Sequence, residues 1–359
     1  MIDAFNGFYK GRRVLITGHT GFKGSWLAIW LHAMGAEVAG VGLDPYSPKD
    51  NFVLSGIGKA IKADLRADIR DAAAMKRIFA EFRPEIVFHL AAQPLVRLSY
   101  EIPVQTSEPN VMGTINVMEA IRATDSIRVA VMITTDKCYE NREQLRGYRE
   151  DDPMGGYDPY SSSKGACEIA IQSWRRSFFN PEDYGKKHHV SIASARAGNV
   201  IGGGDWAKDR IIPDCIRAIE AGIPIELRNP ASVRPWQHVL EPLSGYLLLV
   251  KKMWDSPAEY CEGWNFGPEE GTVRTVRELA SGLVEKMGRG ELKEVSSEGA
   301  VHEAGLLLLD IGKAKSRLGW KPRLDMEGTI GLVADWYGKY TEGNCSALCL
   351  DEIERYLQD

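Results

Sequence analysis

No run of about 18 consecutive apolar residues occurs anywhere in the 359-residue chain, so no stretch is long enough to cross a bilayer as a helix. The opening segment, MIDAFNGFYKGRR, has no apolar core of the kind a secretory leader needs. Cysteine is sparse. The six residues Cys138, Cys167, Cys215, Cys261, Cys345 and Cys349 never take the CxxC spacing of a zinc ribbon or a dithiol redox motif, so no metal site is expected. Reduced thiols and a cytoplasmic location fit that pattern. Excess positive charge is also missing: 44 Lys and Arg stand against 49 Asp and Glu, for a net charge of −5. Without a basic stripe there is no footprint for nucleic acid. Internal repeats, low-complexity tracts and long linkers are absent too. What is present is an ordinary globular composition, 44% hydrophobic and 26% charged, enough for one large domain or two that share a cleft.

The organising stretch is Arg12 to Trp30, an apolar run that breaks into glycines and resumes with helical periodicity. It reads as strand, turn, helix. The turn Gly18-His19-Thr20-Gly21-Phe22-Lys23-Gly24 has GxxGxxG spacing, which lets the backbone turn sharply and lets a pyrophosphate approach a helix N-terminus. A second apolar strand, Glu37 to Leu43, ends at Asp44. An acid there suits the ribose hydroxyls of NAD and repels a 2′-phosphate; the alternative is a plain solvated acid. His19 and Lys23 are either phosphate donors or exposed polar residues of the turn.

Further along, Asp68-Ile69 offers an acid for an adenine amine and an aliphatic face for the ring, and is preferred to Asp64-Leu65 because the next helix, Asp71 to Arg83, follows it. The strand Glu85 to Leu90 runs into Ala91-Ala92-Gln93, where small residues let a flat cofactor lie on the backbone. Asn110 opens a helix reaching Arg122 and either braces neighbouring loops or caps the helix. The strand Arg128 to Ile133 ends in Thr134-Thr135-Asp136-Lys137, and such strand ends house chemistry in doubly wound sheets. Tyr160 and Lys164 then stand four apart at the start of a helix running to about Phe179. They share one face. There the ammonium draws the phenol's pKa down from about 10, which makes a general base.

After the strand Val190 to Ala195 the composition shifts to loops rich in Gly, Pro, Arg and Trp. Arg228 and Arg234 flank a rigid turn and suit a diphosphate, or else cover apolar surface. The fold expected is α/β: a doubly wound parallel Rossmann sheet over residues 1–197, with 236–256 returning to it, and a smaller α/β lobe from 198–235 and 257–359.

Taken together, TGHTGFKG, HLAAQ, TTDKCY, YSSSK and RAGNVIGGGD resemble the extended short-chain dehydrogenase/reductases, and among them the nucleotide-sugar 4,6-dehydratases. GNVIGGGDWAKDRIIPD and SVRPWQHVLEPLSGY are similar to the branch acting on CDP-glucose. The resemblance implies a redox-neutral elimination with NAD. Tyr160 and Lys164 take the 4-hydroxyl proton as hydride leaves C4, water is lost across C5 and C6, and the hydride returns to C6. The product is CDP-4-keto-6-deoxyglucose, usually destined for deoxysugars of bacterial surface polysaccharide such as lipopolysaccharide. Thr135 would bond O4, and Asp136 would protonate the departing 6-hydroxyl. The chain departs from the family's Thr-Asp-Glu pattern at Lys137, which serves either as the C5 base or only to stabilise the enolate. By the same resemblance Leu90 to Gln93, Asn110 and Thr134 border the cofactor, while Arg196, Asn199, Asp205, Arg210, Ile212, Pro213, Arg228, Arg234 and His238 line the sugar-nucleotide cleft. A homodimer built from two long helices per subunit, or a homotetramer, is implied too. Competing expectations are a dehydratase of GDP-mannose or dTDP-glucose, a 4-epimerase, or an NAD-binding scaffold without chemistry.

Overall fold

The computed structural model describes residues 2, 4–269, 273–295 and 306–358. Its centre is a sheet of seven strands: β1 (Arg13–Thr17), β2 (Glu37–Gly42), β3 (Ala63–Arg66), β4 (Ile86–His89), β5 (Val129–Ile133), β6 (Ser191–Ala197) and β7 (Gly263–Phe266). They lie in the order β7-β6-β5-β4-β1-β2-β3, and every neighbouring pair is parallel. The order reverses between β1 and β4, which opens a crevice at their carboxyl ends. There Thr17 stands level with both Val41 and His89, and its hydroxyl meets His89 Nδ1 at 2.7 Å.

Both faces of the sheet are buried, as parallel strands require. Val14 and Ile16 of β1 join one apolar cluster and Leu15 the other. In β5, Val129, Val131 and Ile133 likewise face one way and Ala130 and Met132 the opposite way. The first face carries helices α1 (Phe22–Ala33) and Leu240–Asp255. The second carries α2 (Ala72–Phe82), α3 (Thr114–Arg122) and α4 (Pro159–Ser177). Asp71 caps α2 and Asp158 caps α4, each carboxylate accepting from a backbone N–H of the first turn. Just before α3 the chain widens into a π-helical segment, Glu108–Gly113.

The smaller lobe holds α5 (Ile211–Ala221), then, after α6 (Leu240–Asp255) has returned to the sheet, α7 (Val276–Met287) and α8 (Met326–Lys339). Short ribbons link it: 200–201 with 237–238, 233–234 with 274–275, and 225–227 with 292–294. Two placements differ from the sequence expectation. Gly263–Phe266, expected in the smaller lobe, is the edge strand β7 of the main sheet, with Trp264 level with Ala195. Its Trp264 and Phe266 side chains are fully buried, and that burial is what recruits the segment. The last helix, α9 (Cys345–Gln358), also within the range assigned to the smaller lobe, packs on α1. Its Tyr356 ring lies edge-on to Trp30 at 5.9 Å.

Trp336 of α8 is fully buried, and a Cβ on Gly203 would run into its ring. Trp336→Ala is expected to lower stability by about 3–5 kcal/mol, read as a shifted urea midpoint at unchanged slope; a loss under about 1 kcal/mol would mean the ring carries little packing.

Candidate active site

The glycine turn is built for close approach. Gly18 has φ +77°, and a side chain there would lie 2.7 Å from the backbone nitrogen of Ala91. A Cβ on Gly24 would strike the Gly18 carbonyl, so α1 docks directly on the turn. Its N-cap, Gly21, supplies no side-chain acceptor, and the first N–H groups of α1 have no acceptor within the helix. This cradle fits the pyrophosphate of a dinucleotide.

Two side chains of the turn go elsewhere than the sequence suggested. The His19 imidazole is fully buried, where Gly40 leaves room that a Cβ would close. Its Nε2 lies 2.6 Å from Asp64 Oδ1, and burial pushes its pKa down, so it is a neutral filler under the turn rather than a phosphate donor. Lys23 swings to α6, its ammonium donating to the Tyr246 hydroxyl at 3.3 Å. Burial, followed by the charges of Lys164 and Arg210, pushes that ammonium down to about 7. Of the remaining turn residues, Thr20 is buried and Phe22 lies close to Gly202. Asp44 reaches into solvent beyond β2, tied to Arg66 at 3.0 Å. Asp68 pairs with Arg70 at 2.7 Å, and Ile69 packs against Gly113.

Beyond β4, Leu90 donates to the Thr17 carbonyl and Ala91 to the Thr17 hydroxyl, with Ala92 next in the same loop. The Asn110 side chain accepts from the Gln93 N–H at 2.8 Å and donates to the Gln93 carbonyl and to Ser163 Oγ. Asn110 therefore braces the loop to α4, and the capping alternative falls.

At the end of β5, Thr135 donates to Asp136 Oδ1 at 2.8 Å, and Lys137 Nζ lies 3.2 Å from both that oxygen and Asn199 Oδ1. Tyr160, in the first turn of α4, has its backbone N–H on Ser99 Oγ at 3.1 Å. Burial raises the phenol's pKa, while the Thr135 hydroxyl and the Arg210 charge draw it back. Lys164, one turn on, is buried and held down in pKa by that burial; its ammonium lies 3.5 Å from the Ile133 carbonyl. Thr135, Asp136, Lys137, Tyr160, Lys164, Asn199 and Arg210 thus form one cluster, which Lys23 joins from α1. Asp205 holds Arg210 at 2.8 Å, and Ile212 and Pro213 bury themselves in the first turn of α5. Arg228 meets Asp209 at 3.3 Å, and Arg234 lies in the ribbon with Arg274.

Two residues expected in the cleft are not there. Arg196 is sealed beside Glu168 at 2.8 Å. His238 is fully buried, edge-on to Trp26 at 6.0 Å and 3.4 Å from Glu352, its pKa pushed down to about 4 by burial. Both sit on strands in which every residue is buried. Tyr246, Glu168 and Tyr139 escaped the sequence reading. Only Glu168, four residues after Lys164 on the same helix face, carried a signal.

A family model described as GDP-mannose 4,6 dehydratase matches residues 15–332. The chain belongs to this family. A CDP-glucose 4,6-dehydratase of Salmonella typhimurium strain LT2 is 48% identical over 358 residues, covering 99% of each chain. The dTDP-glucose 4,6-dehydratase 1 of Escherichia coli K12 is 27% identical, over 90% of this chain and 92% of the relative. Among solved structures, UDP-glucose 4-epimerase of Thermus thermophilus in complex with NAD superposes with a TM-score of 0.75 at 26% identity, over 90% of this chain and 98% of the other. The dTDP-glucose 4,6-dehydratase DesIV of Streptomyces venezuelae shares the fold, with a TM-score of 0.76 at 22% identity over 90% and 96%.

Lys23 yields a pH test. Folded, it releases its proton near 7 and unfolded near 10.5. Between those values the unfolded chain holds more protons, so wild-type stability rises with pH relative to a variant without the amine. Lys23→Met without cofactor is expected to melt above wild type by the widest margin below about pH 7, the margin narrowing towards about pH 10. A margin that is constant or widens with pH would show that the ammonium is not strained.

Proposed function

We propose that the chain is an NAD-dependent nucleotide-sugar 4,6-dehydratase whose donor is CDP-glucose, converted to CDP-4-keto-6-deoxyglucose and water. The observation that carries the reading is a carboxyl, Asp136, 1% exposed, in the same pocket as the Tyr160 phenol. An epimerase has no water to expel and needs no such acid. The 48% identity over 99% of both chains supports CDP-glucose over GDP-mannose or dTDP-glucose.

NAD, when bound, supplies oxidation at C4 and the later return of the same electrons. The chain's own residues do the rest. Thr135 donates to or accepts from O4 while Tyr160 receives the 4-hydroxyl proton. Lys164 and Arg210 stabilise by their positive charge the phenolate that accepts this proton. Asp136 must carry a proton when the 6-hydroxyl departs, and it passes that proton to O6. Lys137, fixed between Asp136 and Asn199, takes the C5 proton and returns it. The glycine cradle and Asp44 would hold the dinucleotide, and Arg228 and Arg234 the diphosphate. The exposed Val104, Met112 and Ile169 lie on or beside the helices that would pair in a dimer. The setting is cytoplasmic deoxysugar synthesis for surface polysaccharide.

Incubation with NAD and a panel of CDP-, dTDP-, UDP- and GDP-hexoses should give a 4-keto-6-deoxy product from CDP-glucose at least about a hundredfold faster than from the others, the discrimination expected of buried polar contacts left unpaired by the wrong base. Simple inversion of UDP-glucose at C4 would replace this reading with epimerisation. Tyr160→Phe should lose turnover by about 10²–10⁴-fold while still binding NAD, and unimpaired turnover would remove Tyr160 as the base. Asp136→Asn is expected to stop after C4 oxidation with persistent near-ultraviolet absorbance of reduced cofactor; complete conversion at the wild-type rate would clear Asp136 of the acid role.

A further inference from the structure

We infer that the buried Glu168–Arg196 ion pair is a positioning device that sets the catalytic groups of α4 and of the β5 end against each other. The inference rests on the dehydratase reading for its chemistry and on the geometry for its residues.

Both side chains are almost sealed from water, 4% and 6% exposed, with Glu168 Oε2 2.8 Å from Arg196 Nη2. Three donors engage the carboxylate. Oε1 accepts from Thr134 Oγ1, and Oε2 accepts from Ser194 Oγ at 2.8 Å as well as from the guanidinium. Arg196 Nη1 in turn donates to the Tyr139 hydroxyl at 2.6 Å and to the Glu150 carbonyl at 3.1 Å. The Tyr139 hydroxyl donates onward to Asn265 Oδ1 of β7 at 2.7 Å. The guanidinium has its own recess, because a Cβ on Gly263 would lie 2.5 Å from Arg196 Nη2. Burial alone would raise the Glu168 pKa, but Arg196 holds it below the usual carboxylate value, so the pair is ionic inside the protein.

The placement of this pair relative to the chemistry is what gives it a role. Glu168 is one helical turn after Lys164 and two after Tyr160, so it shares their face of α4. Its other contact, Thr134, immediately precedes Thr135 and Asp136. One carboxylate therefore grips the element carrying the phenol and ammonium and the element carrying the hydroxyl and acid. The effect of a small displacement at such a site is large, because proton transfer depends on sub-ångström alignment. A hydrophobic pair of equal volume would hold the layers together as well, but would not fix the direction of the Thr134 hydroxyl. Neither Glu168 nor Arg196 reaches the substrate; both act through Thr134 and α4.

The test uses the full-length protein and the nucleotide sugar that the wild type turns over in the panel above. A wrong donor assignment would then appear in the wild type alone and leave the comparison of variants intact. Glu168→Gln, Arg196→Met and Arg196→Lys are measured for kcat, KM, NAD affinity, melting temperature and the first-turnover rise in reduced-cofactor absorbance. Rates are taken below the melting transition and per folded molecule. Glu168→Gln and Arg196→Met are expected to lose tenfold or more in kcat, with the loss in the first-turnover rise and with KM and NAD affinity within twofold of wild type. Arg196→Lys should recover part of that loss. Should a single variant fail to fold, the double variant Glu168→Gln/Arg196→Met, which removes both charges of the pair, is judged by the same readouts. A kcat within twofold of wild type in a folded variant would overturn the inference, since the pair would then only stabilise the fold. A raised KM at unchanged kcat would overturn it too, by placing Arg196 on the substrate.

Discussion

Seven strands running in one direction put all their carboxyl ends along a single edge, and everything chemical in this protein follows from that constraint. The ends of β1 and β4 open the crevice where the glycine turn presents free N–H groups. The end of β5 delivers Thr135, Asp136 and Lys137 to the same edge, and α4 crosses it with Tyr160 and Lys164. No loop has to travel far. The lobe built from α5, α7 and α8 needs only to roof the edge with Asn199 and Arg210.

Electrostatically the site is lopsided. Lys23, Lys137, Lys164 and Arg210 gather around the Asp136 carboxyl, and burial, followed by the charges of Lys164 and Arg210, lowers the basicity of Lys23. Asp205 offsets Arg210 at 2.8 Å, and Asp136 offsets Lys137 at 3.2 Å. An anionic nucleotide sugar would add further negative charge beside these cations.

Local pattern carried much of this into the sequence. The glycine spacing, the apolar strands and the tyrosine and lysine four apart were legible because each depends on residues close together in the chain. What failed depended on distant partners. His19 was misread because its fate is decided by the missing side chain of Gly40, on the next strand. Lys23 was misread because Tyr246 lies 223 residues away. Arg196 and His238 were placed in the cleft by resemblance, but both lie on fully buried strands against the buried acids Glu168 and Glu352. Residue type gives charge and reach; it does not give direction. The edge strand β7 and the docking of α9 were hidden for the same reason, since both are decided by surfaces formed elsewhere.

The docking of α9 on the nucleotide lobe has a consequence for biosynthesis. The Cys349 thiol meets Asn51 Oδ1 at 3.3 Å across 298 residues of chain, and Tyr356 covers Trp30. A nascent chain on the ribosome would finish all seven strands of the sheet, the last at Gly263–Phe266, while the outer side of α1 still lacked its cover. That apolar flank would stay open until α9 was translated, so the interval before its arrival is when a chaperone, or a neighbouring unfinished chain, has the most surface to seize.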